Sequence, residues 1–159
     1  MNRRSTLLAL AASSLLAACA TTPVPAPLAD TLARQPQLST FNRLVAQAGL
    51  TEELRGTGPL TVFAPSDEAF KAVPAKTMEA LAADPAQLKA LLSYHIIDGR
   101  MAAADVRIGG AKTRQGGNIA LAKAGSFITV DDAVVQQADV VATNGVAHII
   151  DRVLTPPKK

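Results

Sequence analysis

The stretch Leu60 to Phe70, LTVFAPSDEAF, decides how this chain folds. Leu60 to Phe63 is apolar and β-prone apart from Thr61. Pro65 has no N–H to give a ladder, so a strand ends there. Ser66 takes the N-cap position of a helix, and Asp67 and Glu68 place carboxylates at the positive end of its dipole. Ala69, Phe70 and Val73 form its inward face, and Pro74 stops it. A second stretch, Asn144 to Pro156 (NGVAHIIDRVLTP), reads as a turn and a strand. The two strands are expected to lie together at the centre of one small domain.

Before Leu60, Leu28 to Arg34 is expected to be a short helix ending before Pro36. Phe41, Leu44, Val45 and Ala48 have helical spacing, with Ser39 or Thr40 as cap and Gly49 as stop. Thr51 to Leu54 predicts one more turn. After Phe70, Thr77 to Ala82 predicts a helix. Asp84-Pro85 then gives a cap followed by proline at the first helical position. Leu88, Leu91, Leu92 and His95 share one face of that next helix. From Val106 onward, short runs alternate with glycine turns. Asn118–Leu121, Phe127–Val130 and Ala138–Ala142 read as strands. Asn144-Gly145 is the strongest hairpin signal, feeding a strand from Val146 to Leu154. Helices come first and strands later, with one early strand returning to join the late sheet: an α+β arrangement.

The chain has 159 residues, enough for one domain with a core. Aromatics are 3% and Trp is absent, so the core must be aliphatic. The formal charge is +3, from 16 basic and 13 acidic side chains. Removing Arg3 and Arg4 leaves 14 against 13, or +1, for a chain starting at Cys19. Such a balance leaves no electrostatic footprint for nucleic acid. Cys19 is the single cysteine, so no intramolecular disulfide forms.

Met1 to Ala18 has the layout of a secretory signal: Arg3 and Arg4, then a small and apolar run. That run falls short of the roughly 20 residues a membrane span needs. It ends in Leu16-Ala17-Ala18-Cys19, which resembles the lipobox of bacterial lipoproteins. The resemblance implies cleavage before Cys19, acylation of that cysteine and lasting attachment to a membrane. Ala20 does not resemble the Asp that retains many such proteins at the inner membrane, so an outer-membrane destination is expected. Cleavage after Ala20, giving a soluble secreted protein, is the alternative. Cys19 to Pro27 is read as a proline-rich spacer in extended geometry, and residues 28–156 as the folded domain.

The whole pattern resembles the fasciclin domain family. LTVFAPSDEAF is similar to its first signature, carrying Phe63, Pro65, Asp67 and Phe70. Tyr94-His95 matches its central pair. NGVAHIIDRVLTP is similar to its second signature, carrying Asn144, Gly145, His148 and Asp151. Ala147 and Ser66 are small departures. The resemblance implies a compact α+β wedge of about seven strands with a helical layer. It also implies a binding or adhesion module rather than an enzyme. The expected partners are an envelope or extracellular protein or polysaccharide, the membrane through the lipid anchor, and no nucleic acid.

His95 and His148 are the only histidines. They could share a metal or form an acid–base pair, but neither has a second ligand at metal spacing. Both sit in apolar runs and are read as buried side chains with hydrogen bonds. Asp151 stands out on a face of Ala147, Ile149 and Val153 and is read as a structural acid. Asp67 is read first as capping charge. Asp98-Gly99-Arg100 is a turn, Asp131-Asp132 lacks the further oxygens of a calcium loop, and Ser126 is in no nucleophile elbow. No catalytic residue, cofactor or metal is expected. The leading expectation is a lipid-anchored binding module of the bacterial cell envelope. The alternatives are a secreted soluble binder or an enzyme with an unrecognised site.

Overall fold

A computed structural model describes residues 25–156. The signal segment, residues 1–18, and Cys19 lie outside the described residues. The LTVFAPSDEAF stretch forms strand β1 (Leu60–Pro65) and helix α4 (Asp67–Lys71). Ser66 caps that helix, its hydroxyl accepting from the Ala69 N–H at 3.3 Å. Ahead of them come α1 (Leu28–Ala33), a 3₁₀ turn (Pro36–Leu38), α2 (Ser39–Gln47) and α3 (Thr51–Arg55). After them come α5 (Ala75–Ala83) and α6 (Pro85–Tyr94). Asp84 caps α6 by accepting from the Ala86 and Gln87 N–H groups.

The remaining strands are β2 (Ile96–Asp98), β3 (Gly109–Lys112), β4 (Asn118–Ala124), β5 (Phe127–Val130), β6 (Ala133–Ala142) and β7 (Gly145–Ile150). They form one sheet in the order β2-β1-β7-β6-β5-β4-β3. Strands β1 and β7 do pair, in parallel, from Leu60 opposite Gly145 to Pro65 opposite Ile150. The pair lies towards one end of the sheet rather than at its middle. Both strands are nonetheless buried at all six positions. The final strand stops at Ile150, short of Leu154: the Asp151 N–H makes a last bond to the Val134 carbonyl of β6, and the Leu154 N–H goes to the His95 ring.

The sheet curls until its ends meet. Ile97 of β2 bridges Thr113 just beyond β3, and the Arg114 N–H donates to the Ile96 carbonyl. This curl creates two cores. The inner one holds Phe63, Tyr94, Ile97, Ile119, Leu121, Ile128, Val130 and Ile150. The outer one lies between helices and sheet and holds Leu28, Phe41, Leu88, Val62, Ala147 and Ile149. Alternation along each strand assigns its residues: Val62 and Ala64 face the helices while Phe63 faces the inner core. Each fully buried large aliphatic side chain contributes about 1.5–3 kcal/mol.

Three strand segments are absent from the sequence reading. Ile96–Asp98, expected only to lead into a turn, forms β2; Gly109-Gly110, expected to turn, starts β3; and β6 begins at Ala133 rather than Ala138. A bulge between Gln137 and Val140 hides the last, since it breaks the period of two. Ala26, read as spacer, is held against the domain: its carbonyl accepts from the Thr143 N–H and the Thr31 hydroxyl.

Candidate functional site

The polar residues of the two signature stretches and the Tyr94-His95 pair converge on the sheet, and their polar groups are spent there. His95 is fully buried behind the last turn of α6. One ring nitrogen, Nδ1, lies 2.8 Å from the Leu91 carbonyl, which can only accept. The other, Nε2, receives the Leu154 N–H at 3.0 Å, which can only donate. His95 is therefore the neutral Nδ1–H tautomer, tying the C-terminal segment to the helix. Burial pushes its pKa down to about 4, against a smaller upward pull from the Leu91 bond.

His148 on β7 has the opposite tautomer. Its Nε2 lies 2.8 Å from the Met101 carbonyl and so carries the hydrogen. Its Nδ1 accepts from the Asp139 N–H at 3.3 Å. Burial lowers its pKa, with the Met101 bond and the Asp139 charge opposing. The ring stacks on Phe63 of β1, centroids 5.4 Å apart. Each histidine thus joins separate main-chain segments, and the pair shares no ligand. Among the described residues, no three His, Cys, Asp or Glu side chains gather as a metal site would need.

The Tyr94 hydroxyl lies 3.0 Å from the Asn118 carbonyl and 3.3 Å from Asp131 Oδ2. Burial raises its pKa, and the Asp131 charge adds to this. Asp131 itself occupies the left-handed region at φ 51°, its Oδ1 accepting from the Ala120 N–H at 2.7 Å. Asp139, also left-handed at φ 56°, sits in the β6 bulge and accepts from the Ala103 N–H. Sequence reasoning missed both roles. A carboxylate inside a strand run was the available signal for Asp139, since Asp is depleted in strands.

Asn144 is the most heavily used of these side chains. Its Oδ1 accepts from the Leu28 N–H at 2.7 Å, and its Nδ2 donates to the Leu54 and Gly56 carbonyls. It holds α1, the end of α3 and the β6–β7 hairpin at one point. Gly145 must be glycine because a Cβ there would collide with the Leu60 carbonyl and approach Leu28 Cδ1 to 2.8 Å. Asp151 Oδ1 accepts from the Val134 N–H, holding β7 to the start of β6.

Asp67 departs from the sequence reading in its target. It sits in the first turn of α4, yet its carboxylate caps α2 instead. Oδ1 accepts from the Thr40 N–H at 2.8 Å and Oδ2 from the Ser39 hydroxyl at 2.7 Å. Burial pushes this carboxyl up, but the Thr40 and Ser39 bonds outweigh it and hold the pKa below the usual range. Pro65 closes β1, while Phe63 and Phe70 are core.

Several hollows mark the surface of the described residues. An open groove of about 620 Å³ runs beside this Asp67 cap, between Gln37, Phe70, Lys71 and Gln136. A second, of about 490 Å³, lies where Pro25 and Thr31 meet Val140 and Val141. A third, of about 300 Å³, holds Tyr94, Asp131, Asp132 and Arg152. In the first, the Ser39 hydroxyl and the Asp67 carboxylate meet as the cap of α2.

A family model described as Fasciclin domain matches residues 36–156. Protein sll1483 of Synechocystis is 41% identical over 123 residues, covering 74% of this chain and 68% of that protein. Transforming growth factor-beta-induced protein ig-h3 of Sus scrofa is 37% identical over 119 residues, covering 74% of this chain but 17% of its own length. Among solved structures, a FAS1 domain pair from the insect cell adhesion molecule Fasciclin I aligns with a TM-score of 0.69 at 19% identity. That alignment covers 82% of this chain and 51% of the pair.

Proposed function

Since the chain belongs to the fasciclin domain family, we propose that it is a non-enzymatic binding or adhesion-type module of the bacterial cell envelope, lipid-anchored through Cys19. The observation that carries the binding reading is the inward use of the signature side chains. Tyr94, His95, His148, Asn144 and Asp151 all bond main-chain groups of this domain. The polar chemistry of the signatures is committed to holding the fold, and recognition falls to the surface around it. The adhesion role of the insect molecule with the same fold supports this class.

The anchor reading rests on the Leu16-Ala17-Ala18-Cys19 pattern and the single cysteine. Acyl chains on Cys19 would hold the domain a few residues from a membrane, with no need of a helix to cross it. Membrane fractionation and intact mass of the mature protein test this. The expected result is a membrane-bound chain starting at Cys19 with added acyl mass, released by Cys19→Ala. An unmodified soluble chain starting after Ala20 overturns the anchor and leaves a secreted binder.

A further inference from the structure

Asn144-Gly145 is the one Asn-Gly pair in the chain. Such a pair is chemically reactive. With no side chain on the glycine, its main-chain nitrogen can reach the asparagine Cγ and displace the side-chain amide. Asn42 and Asn118 are followed by Arg43 and Ile119, whose bulk hinders that approach. The fold holds the reacting groups of Asn144-Gly145 in place. The leaving nitrogen, Nδ2, donates to the Leu54 carbonyl at 2.8 Å and to the Gly56 carbonyl at 2.7 Å. Oδ1 accepts from the Leu28 N–H at 2.7 Å, which fixes the plane of the amide. The attacking residue is fixed too, since Gly145 pairs with Ala142 across the hairpin and with Leu60 on β1. The carbonyl between the two residues, that of Asn144, accepts from the Leu60 N–H at 3.1 Å. Ring closure needs the side chain and this peptide to turn toward each other. That movement breaks the bonds to α1, to the end of α3 and to β1.

We propose that Asn144 is a modification site kept closed by the fold: unfolding opens it to spontaneous deamidation, and the product no longer fits the fold. In the open chain the Gly145 nitrogen gives its proton to water and bonds to Asn144 Cγ. The Cγ–Nδ2 bond breaks, and the nitrogen leaves as ammonia, completed by a proton from water. Water then opens the cyclic imide at either of its carbonyls. One opening leaves aspartate at this position. The other leaves isoaspartate, with the main chain running through the side-chain carboxyl. No oxidant or reductant enters. Neither product suits the folded setting. Aspartate sets a carboxylate oxygen where Nδ2 stood, against the Leu54 and Gly56 carbonyls, which can only accept. Isoaspartate lengthens the main chain of the tight hairpin that pairs Ala142 with Gly145, and so disturbs its register. Deamidation thereby turns a reversible opening of the domain into a permanent one.

The test incubates the full chain at neutral pH across a series of guanidinium chloride concentrations. Peptide mass spectrometry reads deamidation at Asn144, with Asn42 and Asn118 as internal references. Asn144 is expected to react at least about a hundredfold more slowly in the folded chain than in the unfolded one, and its rate should rise with the unfolded fraction. Ile149→Ala, which weakens the core and leaves the partners of Asn144 in place, should move that rise to lower denaturant, in step with its unfolding midpoint. Chain unfolded briefly should refold in full, whereas chain held unfolded until Asn144 has reacted should not regain the native melting transition. Asn144→Asp, which reproduces one product, should lower the melting temperature by about 10 °C. Equal rates in folded and unfolded chain overturn the proposal, as does a rate that ignores the unfolding midpoint. Deamidated protein, or Asn144→Asp, that melts like the untreated chain also overturns it.

Discussion

Strands β7 and β4 belong to one sheet and meet solvent in opposite ways. All six residues of β7 are buried, because helices cover one face and the curl of the sheet covers the other. Strand β4 alternates, with Ile119 and Leu121 inward and Asn118, Ala120, Ala122 and Ala124 outward. A strand covered twice reads as a continuous apolar run, and a strand covered once reads with a period of two. The first kind carries the signature residues and the stability. The second kind supplies open surface. Substitutions should therefore be costly in one region and nearly silent in the other.

Gly145→Ala should give the largest loss. Its methyl group has no room between the Leu60 carbonyl and Leu28, so about 4 kcal/mol and a fall of roughly 15 °C in melting temperature are expected. Next comes Ile149→Ala in the helix-facing core, about 3 kcal/mol by chemical denaturation. If Ile149→Ala cost no more than an exposed alanine change in β4, the comparison would fail.

Acid should act through the same buried region. His95 is neutral when folded, its pKa lowered to about 4 by burial. The unfolded chain takes up that proton at about 6.5, so above this pH the stability is fully present. It falls as pH drops from there through about 4, by roughly 3 kcal/mol for this one group. His148 acts in the same direction. Melting temperatures followed from pH 7 to 4 check this, and His95→Gln should flatten the slope.

Asp67→Ala removes the cap on α2, and a loss of about 1–2 kcal/mol is expected. Restoring a carboxylate acceptor with Asp67→Glu should recover only part of this, since two bonds fix its position. Phe127→Ser, at the opposite extreme, should change stability by no more than about 0.5 kcal/mol.

The contrast also explains what could be read from the chain. Continuous runs such as Leu60–Phe63, and local caps such as Ser66 and Asp84, announce themselves within a few residues. Their positions are set by nearest neighbours. Asp67 was legible as a capping residue but not as the cap of α2, because its partners lie 27 and 28 residues away. Gly109-Gly110 looks like a turn because nothing local reports its pairing with Ala120 and Leu121. Tyr94 meets Asp131 across 37 residues, and Asp131 by itself reads only as part of a turn. The outward alanines of β4, Ala120, Ala122 and Ala124, look like ordinary helix or strand filler until the register aligns them.

The most direct test of the central claim, that the signature residues serve the fold, is the state of the two histidine rings in solution. Nitrogen NMR of the folded protein, titrated from pH 7 to 5, reports both protonation and tautomer. The expected result is His95 neutral throughout, protonated on Nδ1, and His148 neutral at pH 7, protonated on Nε2, taking up its second proton only below the ordinary imidazole range. A ring that takes up a proton near pH 6.5, or that exchanges between tautomers, would be open to solvent and available for chemistry, contradicting it.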